Sequence, residues 1–112
     1  MESSSKPKIS LTFGVFHDEQ WLRRETVTQA VTKVGRDTNI QLRLDEPAAA
    51  RLHAVIEVIS PTEIYLIDLG SELGTKVNGV AINKCTIKRN DRIGIGRSHL
   101  ILEGIEGVPQ GQ

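Results

Sequence analysis

The run Ala54-Val55-Ile56-Glu57-Val58-Ile59-Ser60-Pro61-Thr62-Glu63-Ile64-Tyr65-Leu66-Ile67-Asp68-Leu69 decides the fold. Both of its flanks are rich in β-branched residues, which suit a pleated, half-buried surface. Pro61 fixes φ and cannot donate to a ladder, so Ser60-Pro61-Thr62-Glu63 reads as a turn between two central strands. Moving toward the N-terminus, Ile40-Gln41-Leu42-Arg43-Leu44 alternates apolar and polar residues. Ile9, Leu11, Phe13 and Val15 do the same, as one buried sheet face requires. Val27, Ala30-Val31 and Val34 are interleaved with Thr and Gln. Toward the C-terminus, Val77-Asn78-Gly79-Val80 predicts a hairpin, because Asn-Gly tolerates the positive φ of a type I′ turn. Arg92 to Gly96 and His99 to Ile105 supply the last strands. Helical propensity is confined to Pro47-Ala48-Ala49-Ala50-Arg51-Leu52-His53, a stretch of marginal length. The expectation is an all-β, two-sheet antiparallel sandwich of about 10–11 short strands, with at most one short helical turn.

A chain of 112 residues fits one domain, and that length buries roughly 65% of its unfolded surface. Residues 8–105 are expected to form the sandwich. The Ser-rich stretch 1–7 and the Gly-containing stretch 106–112 read as tail and linker, because neither can bury enough apolar area to offset the entropy of ordering. Fourteen basic and fourteen acidic residues cancel, so no whole-chain field draws the protein to nucleic acid or an anionic membrane. The N-terminus lacks the apolar centre of a signal peptide. No stretch approaches the roughly 20 apolar residues of a membrane span. The expected setting is cytoplasmic, with the domain acting as a monomer or weak homo-oligomer.

Chemistry that needs a reactive constellation finds little support. One cysteine, Cys85, builds neither a disulfide framework nor a thiolate metal site. His17, His53 and His99 lack ligand spacing, so no metal is expected. Gly94-Ile95-Gly96 opens no helix, which removes a dinucleotide fingerprint. No nucleophile has a plausible base. The expectation is a non-enzyme without cofactors. Cys85 and Trp21 read as packing residues, with a partner surface as the alternative for Trp21 and Leu22.

An ordered series remains: Gly35-Arg36, then Ala50-Arg51-Leu52-His53, then Asp68-Leu69-Gly70-Ser71-Glu72-Leu73-Gly74-Thr75-Lys76-Val77-Asn78-Gly79, then Asp91-Arg92-Ile93-Gly94-Ile95-Gly96. In that order and spacing it resembles a forkhead-associated (FHA) domain, a β-sandwich whose loops bind phosphothreonine peptides. The resemblance covers about Val34 to Leu102. It implies that Arg36 contacts a phosphate with its planar donor fork, and that Arg51 supplies a second cation. It also implies that Ser71, Glu72, Leu73 and Asn78 lie on the partner-binding surface. Gly35, His53, Asp68, Gly74, Thr75 and Gly79 would be structural, with His53 bracing neighbouring loops through backbone bonds.

Three departures stand inside the motif. Ala50 replaces the family's phosphate-binding Ser, removing a hydrogen bond to a charged group worth about 1.5 to 3 kcal/mol. Glu72 and Leu73 stand where many members have Thr and Asn, placing a carboxylate near the expected dianion and removing an amide. The implied function is a protein-interaction module that docks a protein or peptide partner, or its own copies, with weakened or absent phosphothreonine dependence. The alternative is a genuine phosphothreonine reader anchored on Arg36 and Arg51. A looser similarity, to N-terminal cytoplasmic domains of bacterial gliding-motility or secretion proteins, implies a membrane-anchored parent continuing beyond Gln112.

Overall fold

The computed structural model describes residues 8–107. Six strands form one sheet: β1 (Ile9–His17), β2 (Gln20–Val27), β7 (Thr75–Val77), β8 (Val80–Ile82), β10 (Arg92–Ile95) and β11 (Ser98–Gly107). Their spatial order is β2-β1-β11-β10-β7-β8. Five strands form the other: β3 (Val31–Gly35), β4 (Leu42–Arg43), β5 (Ala54–Ser60), β6 (Glu63–Asp68) and β9 (Lys84–Thr86), in the order β4-β3-β5-β6-β9. The pairings are antiparallel except for a short parallel bridge in which Val34 meets Leu42 and Gly35 meets Arg43. The all-β, two-sheet expectation holds.

Period-two alternation builds the core. Leu11, Phe13 and Val15 on β1 share one sheet face with Leu100 and Leu102 on β11 and Ile93 and Ile95 on β10. Val34, Ala54, Ile56, Ile64 and Leu66 cover them from the other sheet. Each of the large side chains contributes roughly 1.5–3 kcal/mol on full burial. The Asn-Gly hairpin between β7 and β8 forms as expected, with positive φ at both Asn78 (52°) and Gly79 (85°).

Two local expectations change, and the one helical turn allowed for near Pro47 does not form. Pro47 to Leu52 runs through turns and bends, with no helix among the described residues; the tertiary bonds described below take the backbone groups that a helical turn would have used. The last strand runs to Gly107, where it pairs with Ile9, past the expected boundary at 105. Ile105 packs against the core there, and the long β1–β11 ladder satisfies backbone groups that a linker would leave to water. Residues 1–7 and 108–112 lie outside the described residues. Trp21 is 49% exposed. It lies on β2, the outermost strand of its sheet, with Arg24 5.7 Å above its ring, so its apolar face is covered by a guanidinium and not by a second sheet. Cys85 is partly buried against the core.

A rim of arginines over a closed hydrogen-bonded ring

Gly35 sets the geometry of the loop end. A Cβ at this residue would lie 2.3 Å from the Arg51 carbonyl oxygen and 3.0 Å from that of Ala50. Only glycine lets the end of β3 approach the β4–β5 loop so closely. That approach permits a backbone ladder outside the sheet: Arg36 N–H donates to Ala50 O and Asp37 N–H to Arg51 O, both at 3.1 Å, while His53 N–H donates to Val34 O at 2.8 Å. Arg36 and Arg51 therefore leave adjacent, mutually bonded backbones, and both residues are exposed. Arg36 Nε donates to Ala49 O at 3.1 Å, which leaves the terminal nitrogens of its fork outside that bond. The Arg51 guanidinium lies 3.8 Å from Asp37, a loose contact. Among the described residues, Arg36 has no carboxylate within ion-pair distance.

Beneath this rim lies a ring of satisfied polar groups. His53 is fully buried. Its Nδ1 accepts from Ala50 N–H at 3.1 Å, so Nε2 carries the proton and donates to Gly74 O at 3.0 Å. One imidazole thus ties the β4–β5 loop to the β6–β7 loop. Asp68 closes the second loop on itself. Oδ1 accepts from the Ser71 hydroxyl (2.6 Å) and the Thr75 hydroxyl (2.7 Å), and Oδ2 accepts from the Gly70 and Ser71 N–H groups at 3.0 Å. Burial alone would raise its pKa. The four donors outweigh that effect and hold the carboxyl below its usual range.

Two residues expected at the partner surface have their polar groups engaged within the protein. The Ser71 hydroxyl donates to Asp68 and accepts from Gly74 N–H at 3.0 Å. Asn78 faces β10: its amide nitrogen donates to Asp91 Oδ1 at 2.9 Å, and its Oδ1 accepts from Arg92 N–H at 3.0 Å. Both polar ends of that side chain are engaged, so Asn78 locks a hairpin to a strand. Ser71 and Asn78, expected at the partner surface, thus have tertiary hydrogen-bond partners for these groups. Glu72 and Leu73 are exposed at the tip of the β6–β7 loop.

Three further residues at this end, Glu46, Asp18 and Arg97, escaped the sequence reading, and Gly96 was given no role in it. Glu46 is buried at 4% exposure. Its Oε1 accepts from Arg97 N–H at 2.5 Å and its Oε2 from Ala48 N–H at 3.1 Å. These backbone bonds, Arg97 first and Ala48 second, hold its carboxyl below the usual range against the cost of burial. Gly96 lies under Leu73, whose Cδ2 would be 3.0 Å from a Cβ there. Asp18, at the β1–β2 turn, pairs with Arg97. The neighbours Asp45-Glu46-Pro47 look like a solvated turn in sequence, so no local signal marked Glu46 as buried. No cluster of three or more metal-ligating side chains occurs among the described residues, and no helix long and apolar enough to cross a membrane occurs among them.

This arrangement suits binding of an extended anionic segment across the loop tips, with guanidinium groups as the charged contacts. The sequence profile of the FHA domain matches residues 32–96. Glycogen accumulation regulator GarA of Mycobacterium tuberculosis is 29% identical over 89 residues, which is 80% of this chain and 53% of GarA. The chain thus spans about half the length of the curated relatives it matches. An FHA domain solved for its phosphothreonine-dependent interactions superposes with a TM-score of 0.74 at 25% identity, covering 85% of this chain and 96% of that one. EmbR of Mycobacterium tuberculosis, solved with a low-affinity phosphopeptide, gives 0.71 at 26% identity, covering 86% of this chain and 24% of EmbR. With its framework, its buried His53 and Asp68 ring and its matched span in agreement, this chain belongs to the FHA domain family.

Proposed function

We propose that this domain docks a Thr-phosphorylated peptide segment of a protein partner through Arg36 and Arg51, with weaker dependence on the phosphate than a full hydroxyl set would give. It does so without catalysis. The observation that carries the reading is the pair of exposed guanidinium groups on mutually bonded backbones, with no carboxylate closer than the 3.8 Å contact of Asp37 among the described residues. Solved relatives at 25% and 26% identity include one with phosphothreonine-dependent interactions and one bound to a phosphopeptide. Weaker dependence follows from three side chains: Ala50 offers no hydroxyl, Ser71 has already given its own to Asp68, and Glu72 sets a carboxylate at the loop tip. A cytoplasmic setting within a larger bacterial envelope or signalling assembly is part of the same proposal.

Calorimetry with matched phosphorylated and unphosphorylated peptides tests it. The phosphorylated peptide should bind more tightly, and Arg36→Ala should abolish that preference. Equal affinities for the two peptides in the intact domain would remove phosphate from the mechanism and leave a phosphate-independent docking module. A preference that survives Arg36→Ala would remove Arg36 from the site.

A further inference from the structure

The turn between β10 and β11 belongs to the same rim, because a buried carboxylate and a leucine connect it there. Glu46, in the loop that bears Ala50 and Arg51, holds the Arg97 backbone N–H at 2.5 Å. Leu73, at the tip of the β6–β7 loop, leans on Gly96 next door. Arg97 therefore springs from a fixed backbone beside two loops of the proposed peptide site, and its side chain is 70% exposed. What holds that side chain is Asp18: Nε donates to Oδ1 at 2.8 Å and Nη2 donates to Oδ2. Asp18 is itself 47% exposed in its side chain, and it shares with Glu19 a turn in which both residues have positive φ, 51° and 67°. Two non-glycine residues in that region make the turn conformationally costly. An exposed pair is also weakened by water and salt. The fork is thus occupied by a replaceable internal carboxylate.

A concavity of about 260 Å³ adjoins the pair and includes Asp18, Glu19, Arg92, Arg97 and Ser98. Arg92 has two side-chain neighbours there, donating to Glu19 at 2.6 Å and lying 3.2 Å from His99 Nδ1. Of the two arginines, Arg97 is the one with a single side-chain partner among the described residues.

We propose that Arg97 is a specificity-determining residue: it selects partner segments that carry a second anionic group, a carboxylate or a phosphate, beside the group read by Arg36 and Arg51, and Asp18 is its built-in competitor. The proposal rests on the peptide-docking reading above. Bidentate capture of either anion matches the planar fork. Because Asp18 must first be displaced, the selection is graded and falls with salt.

The test uses a Thr-phosphorylated peptide with neutral flanks and derivatives with one Glu, or one further phosphothreonine, moved through the flanking positions. Binding is measured to the intact chain, Arg97→Gln and Asp18→Asn. At one or two flanking positions the second anion should tighten binding by roughly threefold to tenfold at low salt. Arg97→Gln should erase that gain, so that it binds the second-anion derivatives no more tightly than the neutral-flank peptide. Asp18→Asn should enlarge the gain, a direction that damaged folding does not mimic. Whichever derivative gains more identifies the second group. A gain that persists in Arg97→Gln, no gain at any position, or a gain that shrinks in Asp18→Asn overturns the role of Arg97 alone. Failure of every peptide, neutral flanks included, overturns the docking reading and this one together.

Discussion

Asp68 accepts four hydrogen bonds, whereas Glu72, on the same loop, accepts none among the described residues. The contrast extends across the loop end. In the inner layer, His53, Asp68, Ser71, Thr75 and Asn78 have committed their polar atoms to other loops and strands. In the outer layer, Arg36, Arg51, Glu72 and Leu73 project to solvent, and Ala50 contributes only its backbone. The three departures noted in the sequence, Ala50, Glu72 and Leu73, all fall in the outer layer, beside Arg36 and Arg51. Substitution is cheap where a side chain has no internal partner and costly where its loss strands several buried donors. The framework and the specificity of this domain can therefore vary independently.

The largest effect should come from breaking the inner layer. Asp68→Ala leaves two hydroxyls and two N–H groups without their acceptor, and should cost about 3 kcal/mol or more in a urea midpoint measurement. A loss below about 1 kcal/mol would show that water replaces the carboxylate freely. Asp68 also sets an acid limit. Its folded-state pKa is lowered, so its contribution is fully present above the ordinary carboxylate range and is lost as pH falls through the folded value. Glu46 acts in the same direction. Stability should decline below roughly pH 5, with a shallower slope in Asp68→Asn.

Gly35→Ala should come next. The added methyl must displace the Arg51 carbonyl, which predicts a loss of about 1–3 kcal/mol and misalignment of the two arginines. Phosphopeptide affinity measured well below the unfolding temperature should fall as well. Unchanged affinity would separate the arginines from that close approach.

The outer layer should respond in the opposite sense. Ala50→Ser restores a hydroxyl at the rim and should strengthen phosphopeptide binding by roughly tenfold to a hundredfold, with little change in thermal midpoint. Glu72→Gln removes the like charge and should give a smaller gain, about twofold to fivefold, fading at high salt. If Ala50→Ser changed stability and left affinity alone, the division into two layers would fail at that residue.

The elements that were legible in sequence are the ones whose signals are local. Alternation in Ile9–Val15 and Ala54–Leu69, the Pro61 turn and the Asn78-Gly79 hairpin each follow from steric rules acting over a few residues. Residues 106 and 107 read as linker because the local sequence is Gly-containing, while the pairing that holds them comes from the other end of the chain. Trp21 was misread because its environment depends on β2 lying at a sheet edge.

The sequence by itself determined a two-sheet β framework and the residue types available at one end of it. Tertiary structure decided how those residues are allocated: the polar groups of Asn78 and Ser71 to internal hydrogen bonds, Arg36 and Arg51 outward, Glu46 into a buried cap for Arg97. The physical reason is range. Strand patterning is enforced by neighbours along the chain, but a hydrogen bond goes to whichever donor or acceptor folding brings within about 3 Å, and those partners here lie as far apart as Asp18 and Arg97.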